Sequence, residues 1–333
     1  MVTAEKSRID CRHIDVLDGI RAVSVIIVLI FHFWQQTWIF PVIKTPWLAF
    51  VGITKIDFSN FATVGYLFVD MMVLISGFLL FLPLMRSIIL GEEMSSWKNY
   101  ARRRIARIVP SYYFAVLLLF FASALPTGAY ATTADALKDL FAHLTFTQTL
   151  WVNTYIATPL DVVLWTVAIE VWFYVLFPFV AEFIKGPRNK NRQSFTPAYG
   201  IFFIFAVFNI INYVYTENFV LKGNVYLAMR INQFPAFLGV YSIGMLGASA
   251  FVLVAKNCRR SRIFNAVNTL FSVCSILLIV YLINDCVATQ ERQVWQVTER
   301  SKLAFVFMTF IITTALSSKW YRWLFSNKFM RFL

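Results

Sequence analysis

The chain has 333 residues, of which 59% are hydrophobic and only 14% charged, with 35 phenylalanines. A soluble domain of this length carries about a quarter charged residues to cover its core with a wetted surface, so these proportions exclude one and make lipid the solvent for much of the exterior. The net charge of +13 is spread over short basic clusters between apolar runs. It does not form one stripe interleaved with aromatics, which argues for membrane topology and against a nucleic-acid partner.

A helix of about 20 apolar residues crosses the hydrocarbon core. By that ruler, spans are expected at about 16–36, 61–85, 108–125, 160–184, 197–215, 231–255, 264–284 and 302–317. The fold class is therefore an all-α polytopic membrane protein of about eight transmembrane helices. The first run is no cleavable signal: Glu5, Asp10 and Asp15 are mixed with Lys6, Arg8 and Arg12 before it, and it is too long for an h-region. Between the third and fourth spans, Leu137, Phe141 and Leu144 recur at helical spacing against Asp135, Lys138 and Asp139. That pattern predicts an amphipathic helix over 134–146 lying on the membrane surface. Cys11, Cys258, Cys274 and Cys286 have neither metal-ligand spacing nor a close pair, so reduced thiols are expected and no metal.

Orientation follows from the positive-inside rule. With the N-terminus inside, alternate segments collect Lys6, Arg8 and Arg12; Arg86, Lys98, Arg102, Arg103, Arg104 and Arg107; Lys185, Arg188, Lys190 and Arg192; Lys256, Arg259, Arg260 and Arg262; and Lys319, Arg322, Lys328 and Arg331. That is about 21 basic residues inside against about 8 outside, the latter being Lys44, Lys55, Lys138, Lys222, Arg230, Arg292, Arg300 and Lys302.

Ionisable groups inside spans cost several kcal/mol, so each needs a reason. His32, Asp70 and Glu170 all fall at similar depth in the outer half or middle of the membrane on the expected spans, where one imidazole and two carboxylates would form a site. Each also has a structural alternative. His32 is then a neutral histidine bonded to a neighbouring helix, Asp70 a carboxylate bound to Ser76 or to backbone, and Glu170 the partner of an arginine that locks the bundle. Asp18 and Arg21 open the first span, where a first-turn carboxylate suits the helix dipole and a snorkelling arginine can pair with it. The run Arg102-Arg103-Arg104-Ile105-Ala106-Arg107 is richer in arginine than topology requires. Arginines at i and i+3 share a helix face, as a phosphate clamp needs, whereas a plain positive-inside loop needs no such spacing.

Four segments together resemble the acyltransferase-3 family of integral membrane O-acyltransferases. They are Leu17-Asp18-Gly19-Ile20-Arg21-Ala22 with Phe31-His32-Phe33; Phe68-Val69-Asp70 running to Ser76-Gly77-Phe78-Leu79; Arg103-Arg104-Ile105-Ala106-Arg107-Ile108-Val109-Pro110; and Leu164-Trp165 running to Glu170-Val171-Trp172. Pro235-Ala236-Phe237-Leu238-Gly239 with Ser242-Ile243-Gly244 is a weaker fifth. The expected organisation is one transmembrane domain over 1–333, with a motif-bearing core at 15–184, less characteristic helices at 197–317 and a basic tail at 318–333. The resemblance implies transfer of an acyl group, usually acetyl, from cytoplasmic acyl-CoA to a hydroxyl of a glycan, lipid or metabolite. It implies a catalytic role for His32, a donor role for Arg103, Arg104 and Arg107, and carries Trp165 and Glu170 in its tryptophan-to-glutamate motif. Met71-Met72 replaces the aromatic pair often found after the motif's aspartate. The family also continues past a segment such as Lys328–Leu333, so the bundle is expected to be C-terminally truncated.

The combined expectation is a multi-pass plasma-membrane enzyme with acyl-CoA as co-substrate and no metal. The donor phosphates would rest on Arg103, Arg104, Arg107 and Arg21, with Asp18 and Trp165 in support. The pantetheine arm would thread about 20 Å towards His32. His32 would act as general base, with Asp70 or Glu170 orienting its other nitrogen. The rival readings are a proton-coupled transporter, which also uses histidine and carboxylates at mid-membrane, and an inactive acyltransferase-like scaffold.

Overall fold

The structure is a computed structural model that describes residues 9–10, 14–160, 162–186, 197–222 and 226–332. Glu5, Lys6, Arg8, Cys11, Arg12, Arg188, Lys190 and Arg192 lie outside the described residues, as do Leu333 and the side chain of Arg331. Hydrocarbon offers the backbone no partner but itself, so long apolar runs close into helices. Among the described residues seven helices are long and apolar enough to cross a membrane, or eight if one bent pair is a single span.

In chain order the main helices are α1 (Val16–Thr37), α2 (Leu67–Leu90), α3 (Trp97–Leu119), α4 (Thr133–Leu144), α5 (Trp165–Lys185), α6 (Pro197–Tyr215), α7 (Phe234–Asn257), α8 (Arg262–Ala288), α9 (Arg292–Leu316) and α10 (Lys319–Ser326). A two-stranded antiparallel hairpin, β1 (Val42–Lys44) and β2 (Lys55–Asp57), lies between α1 and α2. Helices cover all eight expected segments, seven of them long and apolar enough by themselves to cross a membrane, and three starts are revised. The second begins at Leu67, because Ser59–Thr63 forms a separate short helix. The third begins at Trp97, so Arg102–Arg107 is helical rather than loop; arginine is a good helix former whose stem can lie along an apolar surface. The eighth begins at Arg292, and Gln296 and Arg300 in its polar first half are buried rather than looped outside. It meets the span criterion only together with Lys319–Met330, to which it is bent by 116°.

The chain divides into two compact units. One comprises Met1–Leu90 and Val240–Leu333. Small residues set its helix spacing, since close backbone approach is what binds helices where lipid removes the hydrophobic drive. A Cβ on Gly244 would stand 2.6 Å from the Leu74 carbonyl, and one on Gly77 would stand 2.9 Å from that of Tyr241. Gly19 likewise leaves room for the Phe325 carbonyl of α10. Motif glycines are thus contact points between backbones. At the bend between α9 and α10, Arg260 donates to the Ala315, Leu316 and Ser317 carbonyls at 3.0, 3.4 and 3.3 Å, satisfying groups that the helix end leaves open. Burial, with Arg322 adding repulsion, brings its guanidinium down to about 10.

The second unit is Gly91–Gly239. Tyr112 and Val116 on α3, with Phe120 and Ala124 of the π-helical turn that continues it (Phe120–Ala124), pack with Ala136 of α4 and with Leu160. The Tyr112 and Tyr113 hydroxyls donate to the His143 and Leu144 carbonyls at 3.1 and 2.7 Å. The expected amphipathic helix exists, with Leu137, Phe141, Asp135 and Lys138 exposed, but Asp139 of its polar set is buried together with His143. The Asp139 carboxylate accepts from Tyr130 at 2.8 Å and from Thr158 at 2.7 Å. Burial of this one carboxylate is offset by the two hydroxyl donors it accepts from.

Candidate active site

The sequence-predicted residues fall in both units, and each unit is described by itself. In the first, His32 is half-buried near the Thr37 end of α1. Its Nδ1 stands 3.2 Å from Gln35 Oε1, the one hydrogen bond of its ring among the described residues. An amide oxygen only accepts, so this contact selects the tautomer protonated at Nδ1 and leaves the Nε2 lone pair available as a base. Phe31 lies against the ring at 5.1 Å between centroids.

Asp70 is placed differently from expectation. It sits in the first turn of α2, fully buried, and Arg300 Nε donates to its Oδ2 at 3.3 Å with the arginine 3% exposed. Its Oδ1 has no hydrogen-bond partner among the described residues. The expected shared depth with His32 fails on the packing of α1 against α2. Ser24 donates to Met71 Sδ at 3.0 Å, whereas Phe31 packs on Tyr66 at 5.3 Å. Seven residues of α1 separate those contacts, so Asp70 lies on the order of 10 Å from His32 along the helix. Arg300, read from sequence as an external residue, is the partner of Asp70 that sequence reasoning missed; flanked by Glu299 and Lys302, it reads as one more charge of a polar segment.

Asp18 is exposed in the first turn of α1, and Arg21 is half-buried one turn on. Cys258, Cys274 and Cys286 are free thiols. Among the described residues no group of three or more His, Cys, Asp or Glu is placed to hold a metal ion.

In the second unit the arginine run separates by face. Arg103 and Arg107 are exposed, while Arg104 is half-buried, with its guanidinium 4.8 Å over the Tyr174 ring and 5.7 Å from that of Tyr100. Such stacking suits a planar cation. The Tyr174 hydroxyl donates to Glu170 in a short hydrogen bond, and Tyr100 donates to the Tyr174 carbonyl at 3.2 Å. Arg104, Tyr174 and Glu170 thus form one connected row on α3 and α5. Arg104 and Tyr174 border a cavity of about 410 Å³ whose other walls include Trp97, Ile108, Phe146 and Pro178. An apolar slot with one cation at its edge suits an anionic ligand carrying an apolar arm. Phe146 closes it from a left-handed backbone conformation (φ 56°) and stacks on Tyr112 at 4.7 Å. Trp165, the first residue of α5, packs on Phe237 at 5.6 Å.

Comparison with known proteins gives a consistent picture. The family model described as "Acyltransferase domain" matches residues 14–333. The O-acetyltransferase OatA of Staphylococcus aureus, in strains NCTC 8325 / PS 47 and COL, is 28% identical over 201 residues. That alignment covers 55% of this chain and 28% of each relative, so the matched region is about a quarter of the relatives' length. No solved structure matches.

Proposed function

The chain belongs to the acyltransferase-domain family, and from that premise we propose that it transfers an acetyl group from acyl-CoA to a hydroxyl of a glycan, lipid or similar acceptor. The observation that carries the donor half is Arg104 stacked on Tyr174 at the edge of an apolar cavity. Phosphates of the donor meet Arg104, with Arg103 and Arg107 of the same helix adding positive charge, and the thin apolar arm takes the slot. The name of the S. aureus relatives, O-acetyltransferase, supports acetyl as the group and oxygen as its acceptor.

His32 is the general base of this reading. Nε2 takes the proton of the acceptor hydroxyl as the oxygen attacks the thioester carbonyl, and the coenzyme leaves as thiol. Gln35 holds the ring by Nδ1. A neutral amide orients the imidazole but stabilises the imidazolium less than a carboxylate does, so Gln35 takes the orienting role first assigned to Asp70 or Glu170. Glu170 instead holds Tyr174 under Arg104, and Asp70 holds Arg300. Asp18 and Trp165 act by packing and by the α1 helix dipole. The protein lies in the plasma membrane with its N-terminus and the arginine end of α3 in the cytoplasm, where acyl-CoA is made available.

One observation favours a second reading. The buried Asp70–Arg300 pair, with one carboxylate oxygen unpartnered among the described residues, is the type of intramembrane charge that proton-coupled transporters use. Incubating the reconstituted protein with radiolabelled acetyl-CoA and fractionated membrane glycans and lipids decides between them. Label in one acceptor fraction supports the transferase. Absence of transfer with proton-driven uptake into vesicles supports the transporter, and absence of both supports an inactive scaffold.

A further inference from the structure

The segment joining α1 to α2 leaves its apolar surface bare. Every residue of β1 and β2 is exposed on both faces of the two-stranded sheet. The turn between them, Pro46–Val51, carries Trp47 at 64% and Phe50 at 83% exposure. The turn is nonetheless built rather than loose. Thr45, 1% exposed, donates from Oγ1 to the Ile53 carbonyl at 3.0 Å and from its N–H to that of Thr54 at 2.9 Å. Gly52 closes it in the left-handed conformation at φ 82°. An isolated two-stranded hairpin is at best marginally stable in water, and among the described residues nothing covers this one.

The charges identify the surface that would cover it. Lys44 and Lys55 stand directly opposite each other in the register, and Val42 faces Asp57. Like charges opposed across strands destabilise a sheet unless an anion lies between or beside them. Asp57 offsets Lys55 in part, with its Oδ1 held by the Ser59 N–H at 2.9 Å and the Ser59 hydroxyl at 2.5 Å, so that the two lysines and one carboxylate leave a net positive charge. The segment is tethered at both ends to helices apolar enough to span a membrane, which keeps it at one membrane face. Trp and Phe with flanking Lys are the residues that anchor a chain at that level.

We infer that the β1–β2 hairpin is a monotopic anchor that docks on anionic phospholipid, with Trp47 and Phe50 entering the acyl boundary and the Lys44–Lys55 pair holding a headgroup phosphate. Its consequence for the site is positional. The anchor fixes the Thr37 end of α1 at headgroup level, which sets His32 about 8 Å below it, five residues at the helix rise.

The test uses the full chain in nanodiscs of phosphatidylcholine with phosphatidylglycerol, brominated on one lipid at a time near the headgroup end of the acyl chain. The emission of Trp47 is isolated as wild type minus Trp47→Phe. Bromolipid should quench that difference signal by about half or more, with aqueous iodide nearly without effect, as for an interfacial tryptophan. Brominated phosphatidylglycerol should quench more than brominated phosphatidylcholine at equal fraction. Lys44→Gln with Lys55→Gln should erase that preference while leaving the melting temperature unchanged, since both side chains lie outside the bundle. Quenching by iodide alone would mean a hairpin free in water and would overturn the inference. Protection from both quenchers would mean that protein covers it, a second copy or further chain, and would overturn it equally.

Discussion

Arg300 Nε donates to Asp70 Oδ2 at 3.3 Å from 230 positions away, tying α9 to α2 inside the first unit with both side chains buried. The pair separates two roles that the sequence merged in Asp70. An orienting carboxylate for His32 would act on catalysis alone, whereas the partner of a buried guanidinium acts on the fold.

Removing one member of a buried pair leaves the other charge uncompensated, so Asp70→Asn and Arg300→Gln should each destabilise the protein by about 3–5 kcal/mol. Asp70→Asn combined with Arg300→Met should recover much of that loss, because a neutral apolar replacement ends the desolvation cost. Thermal unfolding in detergent of the three variants measures the coupling. A stable Asp70→Asn protein that had lost only turnover would return Asp70 to the chemistry.

His32→Ala should lower turnover by about 10²–10⁴ with acyl-CoA binding retained, as expected for loss of a general base. Gln35→Leu, which frees the ring but keeps it, should cost roughly tenfold, since orientation by a neutral group is the smaller effect. Single-turnover rates and donor binding measured on the same preparations check this. Donor binding that fell in step with turnover would mark His32 as structural.

Arg104→Lys should weaken donor binding by about tenfold or more, because lysine lacks the planar fork for phosphate and stacks less well on Tyr174. Arg103→Lys, at an exposed position, should change affinity by no more than about twofold, as a screened surface charge does. Titration with a non-hydrolysable acyl-CoA analogue reads both. Equal effects at the two positions would reduce the cluster to a topology signal.

Gly244→Val should destabilise the first unit by about 2–4 kcal/mol, since even a Cβ would stand 2.6 Å from the Leu74 carbonyl and the helices must part. Gly128→Ala is the control for space, though not for backbone, because nothing lies within 4 Å of its Cβ and its φ is +65°. The difference in melting temperature between the two reports the close approach itself.

Reporter fusions after Arg262 should read cytoplasm, and fusions near Asp139 and Arg292 the opposite side, by the asymmetry of basic residues. A cytoplasmic reading at Asp139 would invert the third and fourth spans.

The span pattern and the motifs were legible in the sequence by itself, because hydrocarbon obliges an apolar run of sufficient length to become a helix wherever it lies. The face that each helix presents was not legible. On α4, periodicity located the helix but did not single out Asp139 from Asp135 and Lys138, because its burial depends on the Tyr130 and Thr158 hydroxyls that neighbouring segments bring to it. Asp70 shows the other limit: hydropathy averages locate a charge along a span but carry no information on which of eight helices supplies its partner. Only the packing of α9 against α2 brought Arg300 to it, and only the contacts of Ser24 and Phe31 set His32 and Asp70 at different depths. Arg104 was one of four similar arginines in the sequence until the stacking on Tyr174 distinguished it, because burial of a cation is decided by what the neighbouring helix places beneath it.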